Sequence, residues 1–159
     1  MKSSLSRILV GLLAAAGLVG ASVNAQAATA TGNFNVNVTL TSKCEINGTA
    51  AATGAVITDI ALAYTSFQTS AATGSTSFNV RCTNSLPYTL ALDLTTVTDQ
   101  ALNLDYSLSL SSASGTGNGT NQAYTVDASI AANQAGTCAT TTCTNAASTN
   151  KQRTLTITY

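Results

Sequence analysis

From Ala28 to Leu40 the apolar and small residues fall on every second position: Ala28, Ala30, Gly32, Phe34, Val36, Val38 and Leu40, with Thr or Asn between them. A period of two puts one set of side chains on each face of an extended chain, so this segment can bury one face and wet the other as a strand, but cannot do so as a helix. The same period returns at Ile60, Leu62 and Tyr64, and at Phe78, Val80 and Cys82. It returns again at Tyr88, Leu90, Leu92 and Leu94 behind Pro87, from Leu102 to Leu110, from Tyr124 to Ile130, and from Leu155 to Tyr159. Seven strand-length runs parted by turn residues predict an all-β sandwich. The stretch Ser111–Thr120, rich in Ser and Gly, predicts a solvated loop.

Upstream, Lys2 and Arg7 precede an apolar run from Ile8 to Ala21, and Ala25-Gln26-Ala27 supplies small residues at a cleavage position. This is the layout of a secretory signal over residues 1–27; the run is too short and too broken by Gly11, Gly17 and Gly20 for a comfortable membrane span. The expected mature chain is one domain, with residues 28–42 as an N-terminal strand and 43–159 as the body. It meets the membrane only in transit.

Composition narrows the function. There is no His, and only 8% of residues are charged. Without His the Ser-His-Asp and Cys-His nucleophile systems are excluded. Asp93, Asp99 and Asp105 fall at strand ends or at wet positions of alternating runs, so no paired-carboxylate constellation emerges. The chain reads as a non-enzyme with no cofactor and no metal. Past residue 27 the basic residues are Lys43, Arg81, Lys151 and Arg153 against six acids, a weakly acidic balance that disfavours nucleic acid.

Four cysteines in an exported chain predict two disulfides, because that compartment is oxidising. Three pairings are open to Cys44, Cys82, Cys138 and Cys143. Their order along the chain favours Cys44 with Cys82, tying two strands, and Cys138 with Cys143, closing a short loop before the last run.

Four stretches carry a likeness to a known family: Cys44-Glu-Ile; Phe78-Asn-Val-Arg-Cys82-Thr-Asn with Pro87-Tyr-Thr-Leu-Ala-Leu92; Leu104-Asp-Tyr-Ser-Leu108; and Thr154-Leu-Thr-Ile-Thr-Tyr159. Together these resemble the spore coat protein U family, which includes the major pilins of archaic, Csu-type chaperone-usher systems. The resemblance implies an immunoglobulin-like β-sandwich that lacks its last strand and is completed by a donor strand from a neighbouring subunit or a chaperone. It implies a cell-surface pilus subunit, supporting adhesion and biofilm formation. Its partners would be other pilin subunits, a periplasmic chaperone and an outer-membrane usher. Periodicity alone fits residues 32–40 equally to an internal edge strand and to a donor. The resemblance favours a donor with Gly32, Phe34, Val36, Val38 and Leu40 as its inserted face, and a chaperone-facing last strand with Leu155, Ile157 and Tyr159. Cys138-Ala-Thr-Thr-Thr-Cys143 departs from the family pattern. The alternative reading is a secreted coat or surface-binding protein that folds alone and does not polymerise.

Overall fold

The computed structural model describes residues 28–50 and 54–159; the expected signal, 1–27, lies outside them. The chain divides after Val38, and the body runs from Thr39 to Tyr159.

The body is almost entirely antiparallel β. Its strands are β1 (Cys44–Ile46), β2 (Thr49–Ala50), β3 (Ala72–Cys82), β4 (Pro87–Leu92), β5 (Thr96–Asp99), β6 (Leu104–Leu110), β7 (Ser114–Thr116), β8 (Gln122–Ile130) and β9 (Leu155–Thr158). One sheet has the order β2-β1-β3-β8-β6-β5, the other β7-β4-β9. One irregular helical turn, Ala147–Lys151, precedes β9.

Register explains which residues are inside. In the larger sheet Phe78 stands opposite Tyr124, Val126 opposite Leu110, Ala128 opposite Leu108 and Ile46 opposite Val80. In the smaller one Leu90 stands opposite Ile157 and Leu92 opposite Leu155. These inward residues of the two sheets form one core cluster. Burial of each large apolar side chain is worth about 1.5–3 kcal/mol on transfer, so the shared core holds the sheets together.

Strands β3, β4, β6, β8 and β9 contain the apolar runs expected from period two. Other segments differ from expectation. Residues 28–43 form no strand, and neither do 54–64 although Ile60, Leu62 and Tyr64 alternate. The expected loop at 111–120 contains β7, because the main chain of Ser114–Thr116 pairs with Pro87–Thr89. Gly115 makes that approach possible: a Cβ there would come within 2.5 Å of Tyr88 and of the Tyr124 hydroxyl. Strand β3 starts at Ala72, six residues before the expected Phe78, since its inward positions there are Gly74 and Thr76 and give no apolar signal. Tyr159 lies just beyond β9 and Leu102 just before β6.

Candidate functional site

The smaller sheet has three strands against six in the larger. Strand β9 pairs with β4 on one side and, among the described residues, with nothing on the other. Against the larger sheet runs segment 54–62, which forms no strand. It lies over the inner face of β3 so closely that a Cβ on Gly74 would meet the Ala61 carbonyl oxygen at 2.9 Å and Ile60 at 3.0 Å. Its residues Ala55, Ile57, Ile60 and Leu62 are half-buried against the core.

Segment 54–62 and β9 line one groove of about 1050 Å³. The inward side chains of the larger sheet, Ile46, Tyr106, Leu108, Val126, Ala128 and Ile130, form an apolar part of the lining together with Leu92, Leu155 and Ile157. Both walls carry unpaired backbone. Among the described residues no main-chain N–H of 54–63 makes a hydrogen bond, and the Val56 carbonyl accepts one, from the Asn47 side chain (2.9 Å). An apolar floor between unpaired edges is the arrangement that an added strand satisfies, by ladder bonds along its main chain and by alternate side chains in the groove.

The far end of the groove is built on Asp99. This carboxylate is buried on the inner side of β5. One oxygen accepts the N–H groups of Ala101 (3.0 Å) and Leu102 (2.9 Å), and the other accepts the Asn145 amide (2.9 Å), while the Thr149 hydroxyl, 3.5 Å away, donates to the Ala146 carbonyl at 2.6 Å. Three donors satisfy a group that would otherwise be costly to bury. The bonds fasten the strap 145–150 to β5, and the strap leads through Lys151–Thr154, which line the groove, into β9. The Tyr106 hydroxyl donates to the Asn150 carbonyl at 2.6 Å, and burial raises its pKa. Sequence reading missed Asp99 and the strap. A lone Asp at a strand end carries no sign of burial, and the strap has no periodicity.

The residues expected to act lie as follows. Phe34, Val36, Val38 and Leu40 are between 73% and 85% exposed, and they are half of the large exposed apolar side chains among the described residues. Gly32 has no heavy atom near the position of a Cβ. Leu155 and Ile157 point inward from β9, and Tyr159 is half-exposed. Disulfides join Cys44 to Cys82 and Cys138 to Cys143. The first pair lies directly across the β1–β3 ladder, fully buried. The second closes an exposed ring. Disulfides point to an oxidising, exported environment.

On the outer face beside the first disulfide, Glu45 accepts from Lys43 (2.7 Å) and from Arg81 (2.5 Å), its register partner. These two cations hold its pKa below the ordinary carboxylate value. No group of three or more potential metal ligands occurs among the described residues, and no helix among them is long and apolar enough to cross a membrane.

Comparison with family models, with curated proteins and with solved structures returns no match. The fold and the site therefore define a class by geometry: a two-sheet β protein with a largely apolar groove beside β9 and an exposed alternating segment at residues 32–40.

Proposed function

We propose that the protein is a structural subunit of a surface fibre, in which the groove of one copy takes up the segment Gly32–Leu40 of the next. The observation that carries this reading is the match between the two within one chain. The groove lies beside the edge of β9 that no described strand pairs, and the run 32–40 has a strand's alternation, no charge and no described sheet partner. Inserted between β9 and segment 54–62, the run completes an immunoglobulin-like sandwich. Gly32, Phe34, Val36, Val38 and Leu40 face the floor, and the intervening Thr and Asn residues face water.

Burying Phe34, Val36, Val38 and Leu40 is worth about 6–12 kcal/mol as an upper estimate, and each ladder bond adds about 0.5–1.5 kcal/mol. That offsets the cost of ordering the segment. Donor and groove lie on different parts of the chain, so the contact is head-to-tail and propagates without closing. Before assembly the open groove requires a stand-in strand, which a periplasmic chaperone supplies against β9 before an outer-membrane usher exchanges it. The likeness to spore coat protein U proteins, carried by the segments around Cys44, Cys82 and Thr154–Tyr159, supports the same reading and an adhesive pilus as its product.

Val36→Asp places a charge where it must be desolvated without a partner, and Asn35→Asp places one on the wet face. Each variant is co-expressed with the chaperone and usher and assayed by heat-sensitive ladders on gels and by electron microscopy. The expected result is loss of fibres with Val36→Asp at normal yield of chaperone-bound subunit, and unchanged fibres with Asn35→Asp. Fibres that persist with Val36→Asp would overturn the reading.

A further inference from the structure

We propose that the Cys138–Cys143 disulfide is a reducible staple just before the strap that leads into the groove wall, such that an external dithiol weakens strand binding while the body stays folded. This rests on the groove being the strand-binding site. The two disulfides differ in access. Cys44 and Cys82 are buried, whereas Cys138 and the four residues between it and Cys143 are exposed. A thiolate must reach sulfur to exchange with it, so the outer ring opens first.

The ring sits between two anchors. Before it, the Thr137 N–H donates to the Leu102 carbonyl at 2.6 Å, and Gly136 packs so near Leu104 that a Cβ would lie 3.2 Å from Leu104 Cδ2. After it, Asn145 reaches the buried Asp99 carboxylate, and Asn150 donates to the Thr98 carbonyl at 3.1 Å. The strap then continues as groove wall through Lys151–Thr154. The disulfide closes the short path between these anchors and limits the freedom of the strap. With it open, a strand entering the groove must also order the strap, and that entropy is subtracted from its binding.

The exchange balances as follows. One thiolate of the dithiol attacks the sulfur of Cys138 or Cys143, the S–S bond breaks, and the other cysteine leaves as thiolate. The second thiol of the reagent then attacks the mixed disulfide, releasing the remaining cysteine and leaving the reagent as a cyclic disulfide. Two electrons pass from reagent to protein, and the cysteine thiolates take up protons.

The test uses the full chain carrying Val36→Asp, so that its own segment does not compete. Brief dithiothreitol treatment, iodoacetamide trapping and peptide mass spectrometry are expected to show alkylated Cys138 and Cys143 beside an intact Cys44–Cys82 bond. A fluorescent peptide of sequence Gly32–Leu40 is expected to bind the trapped form about tenfold more weakly than the oxidised form, and a Cys138→Ser, Cys143→Ser variant equally weakly. Equal affinity of oxidised and trapped forms overturns the staple and leaves the groove assignment standing. Failure of the oxidised form to bind overturns both. Opening of Cys44–Cys82 at the same rate as the outer ring also overturns the proposal.

Discussion

The hydroxyls of Tyr88 and Tyr124 lie 2.6 Å apart in the interior, one on β4 and the other on β8, so a buried hydrogen bond links the two sheets. The rings meet edge to face at 6.3 Å, and the Tyr124 ring stacks on Phe78 at 5.8 Å. Burial first, and then this bond, raise the pKa of Tyr88 well above the ordinary tyrosine value.

Gly115→Ala is expected to destabilise the body, because the new methyl would meet both phenols and neither can retreat without breaking their bond. Overpacking of this kind costs about 1–3 kcal/mol, read as a lower midpoint in urea with an unchanged slope. The pair also sets an alkaline limit. A folded pKa raised above the unfolded one leaves stability intact below about pH 10, and stability falls as pH rises past that value toward the folded pKa. Tyrosine ionisation followed by ultraviolet absorbance should therefore coincide with unfolding. Ionisation of Tyr88 at an ordinary pH in a folded protein would contradict the arrangement.

Glu45 sets an acid limit of opposite sign. Its folded pKa lies below the unfolded value because Lys43 and Arg81 hold the carboxylate ionised. The stability it contributes is present above the unfolded value of about 4.5, and it is lost as pH falls from there through the lowered folded pKa. Glu45→Gln is expected to flatten the stability profile in that acid window. Denaturant titrations of both proteins across it provide the measurement.

Asp99→Ala is expected to strand the N–H groups of Ala101 and Leu102 and the Asn145 amide. A buried donor left unsatisfied costs about 1–3 kcal/mol. The loss should be local as well as global. Hydrogen exchange is expected to rise over 145–154 and along β9, while the β3–β8 ladder keeps its protection. Uniform acceleration across both sheets would contradict the strap.

Period two is a local property of the chain, and for that reason β4, β6, β8, β9 and the second half of β3 were legible from Tyr88, Leu108, Val126, Ile157 and Val80. It did not distinguish a strand with neighbours from one without. Residues 60–64 alternate as well as 88–92 do, yet 88–92 has two ladders and 60–64 none. Pairing depends on which chain lies alongside, and that is decided far away in sequence.

By itself the sequence determined a β protein with two disulfides, no imidazole chemistry, and an apolar alternating segment at residues 32–40. The exported, oxidising setting follows from the same cysteines. Only the tertiary structure decided that, among the described residues, β9 pairs on one side alone, that Gly74 and Gly115 let other segments approach, and that Asp99 is a buried anchor rather than a wet strand end. Alternation tells a side chain which face it occupies. Whether that face meets a neighbour, a groove or water is a long-range property, set when Cys44 comes to lie opposite Cys82 and Leu90 opposite Ile157.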